Sequence, residues 1–94
     1  MIKLKSTSSF ERAYRKFVRR RPQLQRKIDE ALRILEEDLY ASSLNTHKLF
    51  GKLSGLMACS CGYDCRIVFR IEEDEKTNDT IVVLIDIGTH DEVY

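Results

Sequence analysis

The first residues, Ile2–Ser6 (IKLKS), alternate apolar and polar at the period of a strand. From Phe10 the period lengthens to that of a helix. Phe10, Ala13, Tyr14, Phe17 and Val18 share one face, and Arg12, Arg15, Lys16 and Arg19 share the other. Thr7 or Ser8 can cap this helix, with Glu11 at the place of a capping-box acid. Arg20-Arg21-Pro22 breaks it, and proline suits the first turn of a second helix. Leu24, Ile28, Ala31, Leu32, Leu35 and Leu39 then repeat at helical spacing, so the two helices form an antiparallel hairpin. Residues 41–46 read as a loop.

Beyond it the pattern is that of strands. Residues 52–60 predict one strand and 60–63 a turn around Gly62. Residues 64–72 predict a second strand, with Cys65, Ile67, Phe69 and Ile71 facing the core and Asp64, Arg66, Val68 and Arg70 facing outward. Residues 72–80 are a polar loop. IVVLIDI at 81–87 is nearly all apolar, as a central strand covered on both faces requires, and 89–94 is a polar tail. The order β-α-α-β-β-β predicts one α+β domain over 1–94. Its antiparallel sheet consists of a three-strand C-terminal meander plus the N-terminal strand, with the helical hairpin on one face. The other face is left for function.

Charge adds an asymmetry. Residues 1–52 hold 13 Lys/Arg and 6 Asp/Glu, a balance of +7, while residues 53–94 hold 3 and 9, a balance of −6. The basic half points to a polyanionic partner, against the plainer reading of two solvated helix faces. No apolar run approaches a membrane span and no signal peptide is visible, so a cytoplasmic protein without membrane contact is expected.

The three cysteines fall within CSCGYDC, at C-x-C-x3-C spacing. An odd count in a reducing compartment predicts free thiols rather than disulfides. Zinc is the weaker alternative, with His47 or His90 as fourth ligand, because neither a C-x2-C knuckle nor an H-x3-5-H pair is present. Small half-buried thiols on strands are the simpler reading, so no metal and no cofactor is expected. His47 and His90, together with Asp64, Arg66 and the terminal Tyr94, form the candidate chemistry. Histidine transfers protons near neutral pH, and a guanidinium matches phosphate oxygens.

The element order, HKLFGKLSG at 47–55, YDCRIVFRI at 63–71 and IDIGTHDEVY at 85–94 together resemble the RelE/ParE superfamily of bacterial toxins, and within it the YafQ-like branch. That branch has a histidine opening H-x-L-x-G, an aspartate before the third strand, and a G-T/S-H followed after three residues by an aromatic. In this chain Ser60 and Cys65 stand where the branch carries another histidine and a tryptophan. The resemblance implies a toxin of a type II toxin–antitoxin system, an endoribonuclease that cuts mRNA in the ribosomal A site and is silenced by a cognate antitoxin in a hetero-oligomer.

It implies His47, Asp64, Arg66, His90 and Tyr94 as the catalytic set. RNA contacts are then expected from Arg12, Arg15, Lys16 and Arg19 on the first helix, and from Lys48, Lys52 and Arg70. The chemistry would be acid/base attack of the substrate's 2′-OH without a metal, with His90 or Asp64 as base, Arg66 as phosphate clamp and His47 or Tyr94 as acid. The alternatives from other classes are a ParE-like gyrase inhibitor without catalysis and a degenerate, inactive toxin.

Overall fold

A computed structural model describes all residues, 1–94. Strand β1 (Ile2–Ser6) leads into helix α1 (Ser8–Arg20), and a short 3-10 turn at Pro22–Leu24 leads into α2 (Gln25–Glu37). Strands β2 (His47–Lys48), β3 (Met57–Ser60), β4 (Arg66–Asp74) and β5 (Asp79–Gly88) follow, and helix α3 (His90–Val93) closes the chain. The sheet has five strands in the order β1-β5-β4-β3-β2. The meander β3-β4-β5 is antiparallel as expected, but β1 runs parallel to β5, so the sheet is mixed. Side-chain alternation is the same in both kinds of pairing, so it cannot reveal strand direction.

Two elements were not expected. β2 is a two-residue edge strand paired with β3, and the polar tail is helical. Strand limits also move: a 3-10 turn at Gly51–Leu53 delays β3 to Met57, Asp64 lies before β4, and the polar loop shrinks to 75–78 because β4 and β5 stay paired out to Asp74 and Asp79.

The apolar stripes of the helices account for the main core. Phe10, Phe17, Ile28, Ala31 and Leu35 pack against Met57, Cys59, Ile67, Phe69, Val82, Leu84 and Ile87 on one sheet face. A smaller cluster, Leu49, Ala58, Val68 and Val93, lies on the other face. A bulge between Val68 and Phe69 leaves Ile85 without a partner on β4, and Ile85 packs against that second cluster. Where β1 ends, side chains replace its ladder. Thr7 Oγ1 accepts from the Phe10 amide (3.1 Å) as N-cap and donates to the Leu84 carbonyl (2.8 Å). Ser9 Oγ donates to the Ile85 carbonyl (2.9 Å). The start of α1 is thereby tied to the middle of β5.

The expectation of three free thiols is overturned at two positions. Cys61 and Cys65 are joined as a disulfide, and only Cys59 is free. The cause is register: Ser60 faces Arg66, so the next facing pair across the hairpin is Cys61 and Cys65, with Cα atoms 5.0 Å apart, within disulfide reach. Compartment arguments address how thiols fare in general, whereas here the hairpin presses two sulfurs together.

Cys59 is fully buried, and burial pushes its thiol up from 9.0 to about 12, with the Arg66 guanidinium pulling weakly the other way. It is therefore no nucleophile. Above pH 9.0 the unfolded thiol loses its proton while the folded one keeps it, so stability falls as pH rises towards 12. The expected slope from this group is about 1.4 kcal/mol per pH unit. Urea midpoints of wild type and Cys59→Ala measured from pH 8 upward should converge; parallel curves would refute the assignment.

Candidate active site

The face opposite the helix pair carries the candidate residues, and each is held by a local feature of the chain. His47 sits in edge strand β2, opposite Ala58. Just before it, Asn45 adopts the left-handed conformation (φ 49°), and the Asn45 carbonyl accepts from His47 Nδ1 at 2.8 Å. A carbonyl only accepts, so Nδ1 carries a proton, and Nε2 is the nitrogen that gains or loses one. The Tyr94 hydroxyl lies 3.4 Å from that Nε2.

Tyr94 follows α3, which exists because of its first residues. Thr89 caps the Glu92 amide while Glu92 accepts from the Thr89 amide, a reciprocal capping box. Gly88 permits the turn into it. A Cβ at position 88 would lie 3.1 Å from Glu92 and Val93. The helix places the His90 ring edge-on to Tyr94, with centroids 4.6 Å apart. His90 Nδ1 lies 3.5 Å from an Asp91 carboxylate oxygen. Burial pushes the Tyr94 phenol up, and the Arg66 guanidinium draws it back down. The phenol therefore remains a proton donor.

Asp64 has a role that the sequence did not indicate. It stands at φ 52° in the hairpin loop, and its Oδ1 accepts from the His90 backbone amide at 2.9 Å. It makes no ion pair with Arg66. It joins the hairpin to the start of α3. Arg66 opens β4 between Ser60 on β3 and Gly88 on β5. It is half-buried, forms no salt bridge, and donates from Nη1 to the carbonyls of Cys65 (2.9 Å) and Gly62 (3.3 Å).

The structure thus links His47, Tyr94, His90 and Asp64 in one chain of contacts, and Arg66 joins it through the same hairpin loop. Lys48 follows His47 on β2, and Lys52 lies in the 3-10 turn after it; both are exposed. Arg70 is not brought to the site. It lies four residues along β4 from Arg66, about 13 Å at strand rise, with its guanidinium paired to Glu72 at 2.7 Å.

Arg12, Arg15, Lys16 and Arg19 do gather. Together with Arg20 they line a groove on α1 that contains no apolar residue. Lys16, Arg20 and Arg21 also line a second hollow with Asp86 and Glu92, between α1 and the end of β5. The Thr89 amide holds the Glu92 carboxyl below the usual range, and Arg21 and Lys16 add to that pull. Burial pushes Asp86 up, opposed by the Ile87 amide. Arg20, Arg21 and Glu92 were missed as site neighbours. The Thr89-x-x-Glu92 spacing was a readable signal for α3; nothing in the sequence pattern marked Asn45 as the orienter of His47.

No group of three or more His, Cys, Asp or Glu side chains is arranged to hold a metal ion. No helix is long and apolar enough to cross a membrane.

Solved structures share this architecture. YafQ from E. coli strain BL21(DE3) superposes with a TM-score of 0.79 at 10% identity, over 100% of this chain and 99% of that one. The YoeB/ParE toxin from Agrobacterium tumefaciens gives 0.73 at 20% identity, over 94% and 98%. YafQ in the E. coli DinJ-YafQ toxin-antitoxin complex gives 0.71 at 12% identity, over 97% and 94%. At these identities the likeness is one of fold. No curated protein sequence matches the chain. A family model does: that of the bacterial toxin of type II toxin-antitoxin systems, YafQ, over residues 2–94. This match, over nearly the whole chain, establishes that the chain belongs to the YafQ family of type II toxins.

Proposed function

We propose that this toxin is a ribosome-dependent endoribonuclease that cleaves mRNA in the A site. The observation that carries this reading is the linked set His47–Tyr94–His90–Asp64, beside an Arg66 guanidinium that no carboxylate neutralises, on an open sheet face. In the proposed reaction the 2′-OH attacks the neighbouring phosphorus and the P–O5′ bond breaks. His90 takes the 2′-OH proton. Tyr94 gives its proton to O5′ and is reprotonated from Nε2 of a protonated His47. Arg66 balances the charge on the pentacoordinate phosphate. The products are a 2′,3′-cyclic phosphate and a 5′-hydroxyl. These groups cover deprotonation, charge balance and leaving-group protonation without a metal or cofactor. Asp64 fixes the His90 amide and acts as a positioning residue.

The cytoplasm, where ribosomes are, is the compartment this requires. The α1 groove of Arg12, Arg15, Lys16, Arg19 and Arg20 meets ribosomal RNA, and Lys48 and Lys52 flank the mRNA. Arg70, paired with Glu72, is left out of the RNA contacts. A cognate antitoxin covers the toxin in a hetero-oligomer; YafQ from E. coli forms a toxin-antitoxin complex with DinJ.

Primer extension on programmed ribosomes tests the reading. His90→Ala and Tyr94→Phe should slow single-turnover cleavage by about 10²–10⁴-fold. Asp64→Asn should keep most of the rate, because its Oδ1 still accepts the His90 amide; a collapse to the level of His90→Ala would make Asp64 the base. Rate against pH should be bell-shaped, with one limb lost in each histidine variant. Wild type that cuts no mRNA but blocks supercoiling by gyrase would replace this reading with the non-catalytic one.

The groove on α1 gives a separate expectation. Arg12→Gln, Arg15→Gln and Arg19→Gln together should flatten the salt dependence of ribosome binding, reducing the slope of log K against log salt by about 2–3. The cleavage rate at saturation should be unchanged. An unaltered slope would remove α1 from the interface.

A further inference from the structure

The hairpin tip between β3 and β4 does more than reverse the chain. Residues 61–65 form a five-residue loop whose two ends are joined by the Cys61–Cys65 bond. The two cysteines are buried in the main core, on the helix side of the sheet. The remaining groups of the loop act on the other side. The Gly62 and Cys65 carbonyls hold Arg66 Nη1, and the Asp64 carboxylate holds the His90 amide.

Apart from that packing and these contacts, the loop's own backbone bonding is sparse. Its internal backbone bonds are two, Cys61 N–H to the Cys65 carbonyl (2.9 Å) and Cys65 N–H to the Gly62 carbonyl (3.3 Å). Gly62 (φ 131°) and Asp64 (φ 52°) both occupy positive φ, a region uncommon for residues other than glycine that Asp enters more readily than most. Tyr63 between them is 96% exposed and anchors nothing.

We propose that Cys61 and Cys65 are positioning residues for the cleavage site, and that their thiol–disulfide state sets its activity. Closed, the pair holds the loop so that Arg66, Asp64 and His90 are aligned. Opened, the loop relaxes and the two carbonyls and the carboxylate lose their fixed places. The opening step is thiol–disulfide exchange with a dithiol reductant. One reductant thiolate attacks a cysteine sulfur, the S–S bond breaks, and the released thiolate takes a proton. The second reductant thiol then displaces the other cysteine, which is protonated in turn, and the reductant leaves as its own disulfide. Two electrons and two protons pass to the protein. Because both sulfurs are buried, the exchange waits on transient opening of the loop.

This inference rests on the proposed nuclease reading, so the test has two separate readouts. Wild type is compared oxidised, reduced with dithiothreitol, and reoxidised, alongside Cys61→Ala/Cys65→Ala. The first readout is single-turnover cleavage and apparent affinity on programmed ribosomes. The second is the backbone amide resonances of His90 and of α1. Reduction should lower the cleavage rate by about 10- to 100-fold and leave ribosome affinity unchanged. Reoxidation should restore the rate, and the double variant should stay at the reduced rate with or without dithiothreitol. Cys59→Ala should keep the redox response.

The His90 amide should move on reduction while those of α1 stay, which separates a local effect from unfolding. Equal rates in both states, or a His90 amide that does not move, would overturn the proposal. If neither state cleaves, the nuclease reading fails, and the His90 amide alone decides whether the pair positions α3.

Discussion

Strand β5 has both edges and both faces to satisfy, and most of the architecture follows from how it does so. One edge takes β4 in antiparallel pairing and the other takes β1 in parallel pairing. Val82, Leu84 and Ile87 bury against the helices, while Ile85, displaced by the bulge, joins the cluster on the opposite face. Once β1 ends, the hydroxyls of Thr7 and Ser9 take over the carbonyls of Leu84 and Ile85 and fix where α1 begins. At its far end, Gly88 lets α3 fold back closely, and α3 holds His90 and leads into Tyr94. One strand thus sets the basic helix on one side and the His90 and Tyr94 side chains on the other.

The same arrangement separates two kinds of charge. The groove of α1 is purely cationic, and its outer residues are free to meet a polyanion. Where it approaches α3, Lys16, Arg20 and Arg21 share a hollow with Asp86 and Glu92. Glu92 thereby belongs to both regions: it closes the capping box of α3 and lies under the pull of Arg21 and Lys16. Basic helix and α3 are joined at this carboxylate.

Much of this was legible in the residues. Strand Ile2–Ser6 and the break before Pro22 fall where periodicity and proline chemistry put them, because local spacing determines them. What stayed hidden depends on distant pairing. The parallel direction of β1 leaves no trace in alternation. Strand β2 has two residues, too few for any period. The Cys61–Cys65 bond follows from the register between β3 and β4, which cysteine counting does not address. Of the residues singled out in the sequence, the structure brings His47, His90, Arg66 and Tyr94 to one end of the sheet. The part played by Asp64 was not visible, because its partner is a backbone amide 26 residues away, and backbone groups have no signature in sequence.

The hold on Arg66 has a directional consequence. A guanidinium has five N–H donors in one plane. Both donors of Nη1 point back at the Gly62 and Cys65 carbonyls. What remains is the flank formed by Nε and Nη2, two parallel donors spaced to match a pair of phosphate oxygens. An incoming phosphate can dock only side-on, in the plane of the group, and not head-on across its tip. The hairpin thus dictates the bearing from which any oxyanion can reach this guanidinium. A lysine at this position, a single ammonium on a freely turning stem, would impose no such bearing.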